Sequence, residues 1–296
     1  MAVFWAPARY SEAIAGMADP GKLSRRRSLV VVGGGAGLHG AAPRVTGRVW
    51  LAGAGPGDPD LMTVRAVRVL SQADVVVHDG LVPEAILALA PDSARRISVA
   101  KRKSRHTYAQ EEINRLLVGL ASEGLNVVRL KGGDPFIFGR GGEELEACRA
   151  AGVPCEVIPG ITAALAASAS AGAPLTHRRS AQAVTFVTGH AAGDSEPDLD
   201  WEALARPNHT VVVYMGASTA GRIADRLIAA GRAPGTPALV VFRASRPDEV
   251  RCVTTLGALG EAATAESGPA LLIVGEAMAE AIALAPTDFV RREERA

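Results

Sequence analysis

The amino-acid sequence predicts an α/β protein that is made of two α/β lobes. From Arg48 onward, apolar runs of strand length alternate with amphipathic stretches of helical length, which is the pattern of α/β folds. A stretch of small residues, ITAALAASASAGAPLTH, interrupts this alternation once, and a second series of strands and helices follows it. A chain of 296 residues with 48% hydrophobic content can bury the cores of two such lobes.

The first lobe is predicted at residues 49–160, as one complete α/β unit. Its predicted strands are VWLAGAG, VVVHD, RISVAK, NVVRLKGGD and PCEVIPG. The predicted helices between them are MTVRAVRVLSQA, PEAILALA, QEEINRLLVGLASEG and GGEELEACRAAG, and a glycine closes the last of these.

The second lobe is predicted at residues 161–285, and the stretch of small residues forms its first, close-packed helix. Its predicted strands are AVTFVTGH, TVVVYMG, PALVVFRAS, CVTTLGAL and PALLIVGEAM, with ASTAGRIADRLIAAGR as a helix and RPDEVR as a charged turn. We expect residues 1–48 to form a flexible N-terminal extension and residues 286–296 to form a charged tail.

The charge balance argues against a protein that coats nucleic acid. Its 32 basic and 31 acidic residues leave a net charge of +1, without the basic surplus of such proteins. The longest apolar runs fall far short of the roughly 20 residues that a membrane-spanning helix needs. Cys148, Cys155 and Cys252 form no C-x-x-C pair, which argues against a disulfide framework or a structural zinc site and favours the cytoplasm.

The loop after the first strand, GAGPGDP, contains Gly53, Gly55 and Gly57. Bare backbone at this position lets a ligand approach closely, and the alternative is a tight strand-to-helix turn without a ligand. The loop lacks the G-x-G-x-x-G spacing of a dinucleotide-binding fingerprint. That spacing occurs at residues 35–40, but no helix is predicted after it, so a linker is the favoured interpretation there.

A second glycine loop, LKGGDPFIFGRGGEE, ends the predicted strand NVVRL. Gly132 and Gly133 would expose bare backbone, and Asp134 can accept hydrogen bonds from amines or hydroxyls. Residues 136–138, FIF, would form a wall for a flat ligand, and the alternative is that these aromatic rings belong to the core. Ligands of open α/β sheets lie beyond the carboxyl ends of strands, so we expect both glycine loops at one sheet edge.

Several motifs occur in one order over residues 49–276. They are GAGPGDP, D-x-L-V at 79–82, K-R-x-x-R-H at 101–106, QEEIN, RLKGGDPFIFGRGGEE, PGITAA, PLTHR, TGH and YMG. Together they resemble the uroporphyrinogen-III C-methyltransferase family within the tetrapyrrole methylase superfamily. The most specific motif is GGDPFIFGRGGEE, because the sister families keep a G-D-P-like loop but usually differ after it.

The resemblance implies two lobes with a cofactor cleft between them. It implies transfer of methyl groups from S-adenosyl-L-methionine to two pyrrole carbons of uroporphyrinogen III, which gives precorrin-2 for sirohaem or cobalamin biosynthesis. It also implies a cytoplasmic homodimer that needs no metal. Two alternatives stay open: a methylase of the same fold that acts on another tetrapyrrole such as precorrin-4, and a non-catalytic cofactor-binding subunit.

The resemblance also implies roles for particular residues. Asp79 is the candidate proton acceptor and Lys101 the candidate proton donor. The candidate cofactor-binding residues are Pro56, Gly132, Gly133, Asp134, Ile137, Thr162, Ala163, Met215 and Ala244. Uroporphyrinogen III carries several carboxylates, and basic residues in matching motifs are candidates to bind them. They are Arg102, Arg105, Arg129, Lys131, Arg140 and Arg178.

This chain departs from the family pattern at three positions. The usual D-R-L-V reads D-G-L-V, so Gly80 replaces an arginine. Ala100 stands where glycine commonly precedes the lysine, and Ala244 stands where glycine is usual. Gly80 bears on the identity of the substrate, and Gly80 together with Ala244 motivates the precorrin-4 alternative.

Overall fold

The computed structural model describes residues 47–100, 108–190 and 197–282. The predicted charged tail and residues 1–46 of the predicted N-terminal extension lie outside the described residues. The same holds for Lys101, Arg102 and Arg105. Within the described ranges, no helix is both long and apolar enough to cross a membrane.

The first lobe contains a sheet of five parallel strands. The strands are β1 (Arg48–Gly53), β2 (Val75–His78), β3 (Arg95–Ser98), β4 (Asn126–Lys131) and β5 (Cys155–Ile158), in the order β3-β2-β4-β1-β5. Because every strand runs in the same direction, all five carboxyl ends reach one edge of the sheet. The loops that follow β1, β2, β4 and β5 therefore meet there.

Helices cover both faces of this sheet. They are α1 (Val64–Leu70), α2 (Glu84–Leu87), α3 (Gln110–Ser122) and α4 (Gly141–Ala150). Successive residues of β1 enter opposite cores: Trp50 packs with α1 and α2, and Leu51 packs with α3 and α4. A strand that is buried on both faces reads as a continuous apolar run, as VWLA does.

The second lobe contains a mixed sheet of five strands. The strands are β6 (Ala183–Thr188), β7 (His209–Tyr214), β8 (Pro237–Phe242), β9 (Val250–Thr255) and β10 (Ala270–Val274), in the order β6-β7-β10-β8-β9. Only β6 and β7 are parallel, and the other neighbours are antiparallel. The charged turn RPDEVR joins β8 to β9 without a helix, so this pair is a hairpin.

The helices of the second lobe also lie on both sheet faces. The small residues of α5 (Ala163–Ala171) pack closely on one face against Val212 and Ile273. On the other face lie α6 (Trp201–Leu204), α7 (Ala220–Ala229) and α8 (Leu259–Ala262). The prediction of two α/β lobes is confirmed.

Three glycines bring three loops of the first lobe into backbone contact. A Cβ atom on Gly53 would lie 2.6 Å from the Gly133 oxygen and 2.6 Å from the Gly160 Cα. Gly55 and Gly133 also exchange backbone hydrogen bonds, at 3.2 Å for the Gly55 N–H and 2.7 Å for the Gly133 N–H. A side chain at Gly53 or Gly160 would force these loops apart, since the obstructing atoms belong to backbone.

We expect Gly53→Ala to destabilise the protein by about 3 kcal/mol or more, because the added methyl meets backbone that cannot move alone. Urea denaturation followed by circular dichroism measures this loss. The matched control is Gly119→Ala in α3, where a Cβ meets nothing within 4 Å. That variant should gain about 0.5–1 kcal/mol from helix propensity, and a similar effect of both substitutions would contradict the close-contact explanation.

Candidate functional site

The candidate cofactor-binding residues lie on five loops at the facing ends of the two sheets. The first-lobe loops after β1 and β4 carry Pro56, and Gly132, Gly133, Asp134 and Ile137, and the segment after β5 that leads into the second lobe carries Thr162 and Ala163. In the second lobe, Met215 follows β7 and Ala244 follows β8. Contacts between residues of the two lobes, such as Phe138 with Tyr214, bring these loops together.

Asp134 ties two of the first-lobe loops together. Its Oδ1 accepts a hydrogen bond from the Phe136 N–H at 2.8 Å, and its Oδ2 accepts one from the Gly160 N–H at 3.0 Å. A carboxylate has about four acceptor positions, so two remain for a ligand. Asp134 therefore holds the two loops together and still has acceptor positions for the hydrogen bonds expected from the sequence.

Tyr214, which stands in the YMG motif but has no predicted role, holds the start of α5 and contacts Phe138 of the first lobe. Its hydroxyl lies 2.5 Å from the Thr162 Oγ1 and accepts a hydrogen bond from the Ala164 N–H at 3.2 Å. Its ring lies 5.1 Å from the ring of Phe138. Burial raises the pKa of the Tyr214 hydroxyl, so the phenol stays protonated at neutral pH.

The second-lobe loops at the cleft have unusual backbone conformations. Met215 has a φ of 55° and a half-exposed side chain. Ala244 is buried between Arg243 and Ser245, whose φ angles are 51° and 63°. Positive φ is uncommon for residues other than glycine and concentrates at ligand sites.

These surroundings fit a ligand that has both polar and apolar parts. Bare backbone at Gly132 and Gly133 gives room, and Asp134 offers free acceptor positions. Met215 and Phe138 offer exposed apolar surface. An adenosine with an amino-acid tail combines these properties.

Asp79 belongs to a cluster of four charged residues beneath the cleft. Its Oδ1 accepts a hydrogen bond from the Arg129 Nη2 at 2.5 Å. The Arg129 Nε and the Lys131 Nζ each lie 3.0 Å from the Glu144 Oε1. Asp79 is 33% exposed, whereas the other three side chains are at most 3% exposed. The carboxylate of Asp79 is thus the accessible end of a buried and charge-balanced cluster.

Arg129 and Lys131 are buried, and their role as direct contacts for substrate carboxylates stays a prediction. Their charged ends pair inside the lobe with Asp79 and Glu144. Burial lowers the pKa of Lys131, and the Arg129 charge lowers it further, while Glu144 opposes both effects. Arg129 holds Asp79 directly, and Lys131 shares with Arg129 the carboxylate of Glu144.

Glu144, the fully buried anion of this cluster, is not among the residues predicted from the sequence. The signal for it was weak, because the pair Glu143–Glu144 at the start of a helix reads as two solvated charges. The packing of α4 against α3, β1 and β5 turns Glu144 inward, toward Arg129 and Lys131 of β4. Its neighbour Glu143 is half-exposed and pairs with Arg140.

Of the remaining substrate candidates, Arg140 and Arg178 are exposed. Arg140 begins α4 with a φ of 58°, and its hydrogen bond to Glu143 raises its pKa. Arg178 lies in the turn that the His177–Ala181 bridge closes. Their roles as substrate contacts stay predictions.

Two of the three departures from the family pattern contact each other. A Cβ atom on Gly80 would lie 2.9 Å from the Cβ of Ala100. The Ala100 methyl therefore occupies the space that a side chain at position 80 needs. The two positions act as one unit, directly beside Asp79.

The two lobes, with the glycine loops of one sheet facing the loops of the other, define an α/β protein of two lobes. The family model described as Tetrapyrrole (Corrin/Porphyrin) Methylases matches residues 48–260. The chain therefore belongs to the tetrapyrrole methylases, and the family resemblance seen in the motifs is confirmed.

Three relatives extend this finding. The chain is 50% identical to uroporphyrinogen-III C-methyltransferase of Paracoccus denitrificans over 282 residues, which cover 94% of this chain and 95% of that protein. It is 54% identical to siroheme synthase of Azotobacter vinelandii over 241 residues, 81% of this chain and 52% of that protein. The chain thus spans about half the length of the siroheme synthases that it matches.

The third relative is a crystal structure of uroporphyrin-III C-methyl transferase from Thermus thermophilus, complexed with S-adenyl homocysteine. It is 46% identical to this chain, and it superposes with a TM-score of 0.69 over 79% of this chain and 99% of that one.

We expect Glu144→Gln to destabilise the protein by about 3 kcal/mol, since it leaves two buried cations with only Asp79 to balance them. The midpoint of urea denaturation measures this effect. Glu143→Gln is the matched control in the adjacent position, where loss of an exposed pair costs at most about 1 kcal/mol. Equal midpoints for the two variants would disprove the structural role of Glu144.

We expect Gly80→Arg to lower stability by about 1–3 kcal/mol, because the new Cβ meets the Ala100 methyl. Adding Ala100→Gly should recover most of that loss, and Ala100→Gly alone completes a double-mutant cycle. Thermal unfolding of the three variants gives the coupling energy. Strictly additive effects would show that the two positions do not interact.

Proposed function

We propose that this chain methylates two pyrrole carbons of uroporphyrinogen III and produces precorrin-2, with S-adenosyl-L-methionine as the methyl donor. The observation that carries the proposal is the partly exposed Asp79 carboxylate, which Arg129 holds at 2.5 Å beside the glycine loop of β4. The names of the Paracoccus and Thermus relatives and the S-adenyl homocysteine in the latter support it.

Both lobes would hold the cofactor. Asp134 would accept hydrogen bonds from its polar groups, and Met215 and Ile137 would contact the adenine. When bound, S-adenosyl-L-methionine supplies an activated methyl group on a positively charged sulfur. The chain itself then has to orient the substrate, exclude water and manage protons.

Asp79 is the proposed proton acceptor. As the new carbon–methyl bond forms, a proton leaves the alkylated tetrapyrrole, and the Asp79 carboxylate takes it up. Arg129 fixes the orientation of that carboxylate through its Nη2, and Glu144 holds Arg129 through its Nε. Lys101 remains the proposed proton donor, and Arg102, Arg105, Arg140 and Arg178 remain candidates to bind the substrate carboxylates.

The proposed setting is sirohaem or cobalamin biosynthesis in the cytoplasm, with the protein as a homodimer. The siroheme synthase relatives favour the sirohaem route, and the chain corresponds to about half of their length. One specific observation favours the second candidate, a methylase for another tetrapyrrole such as precorrin-4. It is the Gly80–Ala100 contact, which replaces an arginine of the family pattern next to Asp79.

We expect the wild-type protein to convert freshly generated uroporphyrinogen III to precorrin-2 under anaerobic conditions. Asp79→Asn should lower kcat by about 10²–10⁴-fold, because it removes the proton acceptor, and it should leave the binding of S-adenosylhomocysteine unchanged. Asp92→Asn, at an exposed position far along the α2–β3 connection, is the matched control. Mass spectrometry of the tetrapyrroles and calorimetric titration of the cofactor product provide the measurements.

Two results would count against the proposal. If the wild type binds the cofactor product but methylates only another tetrapyrrole, the second candidate is correct. If the Asp79→Asn variant keeps full activity, another group accepts the proton.

A further inference from the structure

The turn that carries Asp79 is held from both lobes. The Val82 N–H donates to the Asp79 oxygen at 3.3 Å, which closes a turn over Gly80 and Leu81. From inside the first lobe, Arg129 holds the Asp79 carboxylate. From the second lobe, the Arg246 Nη2 donates to the Leu81 oxygen at 2.5 Å.

Arg246 reaches from the second lobe to the first across Gly57, which has no side chain to block it. A Cβ atom on Gly57 would lie 2.7 Å from the Cγ of Arg246 and 3.0 Å from its Nε. The stem of Arg246 therefore lies directly on bare backbone of the GAGPGDP loop. A second bond between the lobes runs beside it, from the Asp58 N–H to the Ser245 Oγ at 3.2 Å.

The same second-lobe loop also carries the candidate cofactor residue Ala244. This loop, residues 243–249, is internally braced, since the Ser245 N–H donates to the Glu249 carboxylate at 2.5 Å. The Arg246 N–H also donates to the Arg243 oxygen at 3.0 Å. A braced loop moves as one body, so a ligand that contacts Ala244 also sets the position of Arg246.

On the other side, the Asp79 turn contacts the glycine loop of β4. A Cβ atom on Gly132 would lie 3.2 Å from the Cβ of Leu81. Leu81 thus lies between Arg246 and a second candidate cofactor loop. The orientation of Asp79 depends on both contacts, because Gly80 gives the turn little stiffness of its own.

We propose that Arg246 is a positioning residue that couples cofactor binding in the second lobe to the orientation of Asp79 in the first. The coupling passes from Ala244 through the braced loop to Arg246, and from its guanidinium to the Leu81 carbonyl. This inference rests on the proposed role of Asp79 as the proton acceptor. The link between the lobes is one charge-assisted hydrogen bond from Arg246 to the Leu81 oxygen, and a lysine at position 246 can donate the same bond.

The kinetic test compares Arg246→Met with Arg246→Lys. Both side chains keep an unbranched stem over Gly57, and only the lysine keeps a donor for the Leu81 oxygen. We expect Arg246→Met to lower kcat by about 10-fold or more, with the KM of both substrates changed by less than about 3-fold, and Arg246→Lys to stay within about 3-fold of wild type.

Arg222→Gln, at an exposed position of α7, should behave as wild type in this test. Wild-type kcat in Arg246→Met would overturn the proposal. An equal loss of kcat in the methionine and lysine variants would also overturn it.

A second test does not depend on the identity of the tetrapyrrole. Hydrogen–deuterium exchange is measured on the peptide that covers residues 79–82, with and without S-adenosylhomocysteine at a saturating concentration checked by calorimetry. We expect the ligand to slow this exchange in the wild type and in Arg246→Lys, and to lose that effect in Arg246→Met while still binding.

Exchange that is unaffected by the ligand in the wild type, or slowed equally in Arg246→Met, would overturn the coupling. Failure of the proposed function has a different signature. In that case the wild type does not methylate uroporphyrinogen III, whereas the exchange pattern keeps its dependence on Arg246.

Discussion

The close backbone contact of Gly53, Gly133 and Gly160 is the constraint on which the rest of the site depends. Parallel strands bring the loops after β1, β4 and β5 to one edge, but side chains would normally keep such loops several ångströms apart. Because Gly53 and Gly160 lack a Cβ, their backbones touch each other and the Gly133 carbonyl, and Asp134 can bond to the β5 loop and its own loop at once. The cleft floor is therefore made of backbone, and its shape does not depend on rotamers.

Beneath this floor, the buried charges are balanced in pairs. Two cations and two anions share the interior between β2, β4 and α4, and only Asp79 reaches the surface. Such a cluster is costly to bury, and it is weak evidence for stability by itself. The effect of the cluster is geometric. Arg129 is buried and cannot follow the Asp79 carboxylate into solvent, so it holds that carboxylate in place on the turn that contains Gly80. In the proposed reaction, this arrangement would fix the position at which Asp79 takes up the proton.

The sequence predicted the architecture well because alternating apolar runs and amphipathic helices report on burial directly. It also predicted which loops form the cleft, since GAGPGDP and LKGGDP end strands of one parallel sheet. The direction in which a charged side chain points was not predictable. Arg129 and Lys131 alternate with the apolar residues of β4, yet they point inward because α4 places Glu144 opposite them. Likewise, Tyr214 reads as the end of a strand, and its contact with Phe138 depends on how the two lobes face each other.

The Gly80–Ala100 contact also constrains the history of this chain. If the family pattern of arginine at 80 and glycine at 100 came first, the two replacements had a preferred order. Losing the side chain at 80 first leaves an empty space that any later methyl at 100 can fill. Gaining the methyl first would pass through a protein with two side chains competing for one volume, at a cost that selection removes. In the present chain, an arginine at position 80 would meet the Ala100 methyl, so restoring it without loss of stability requires a change at both positions.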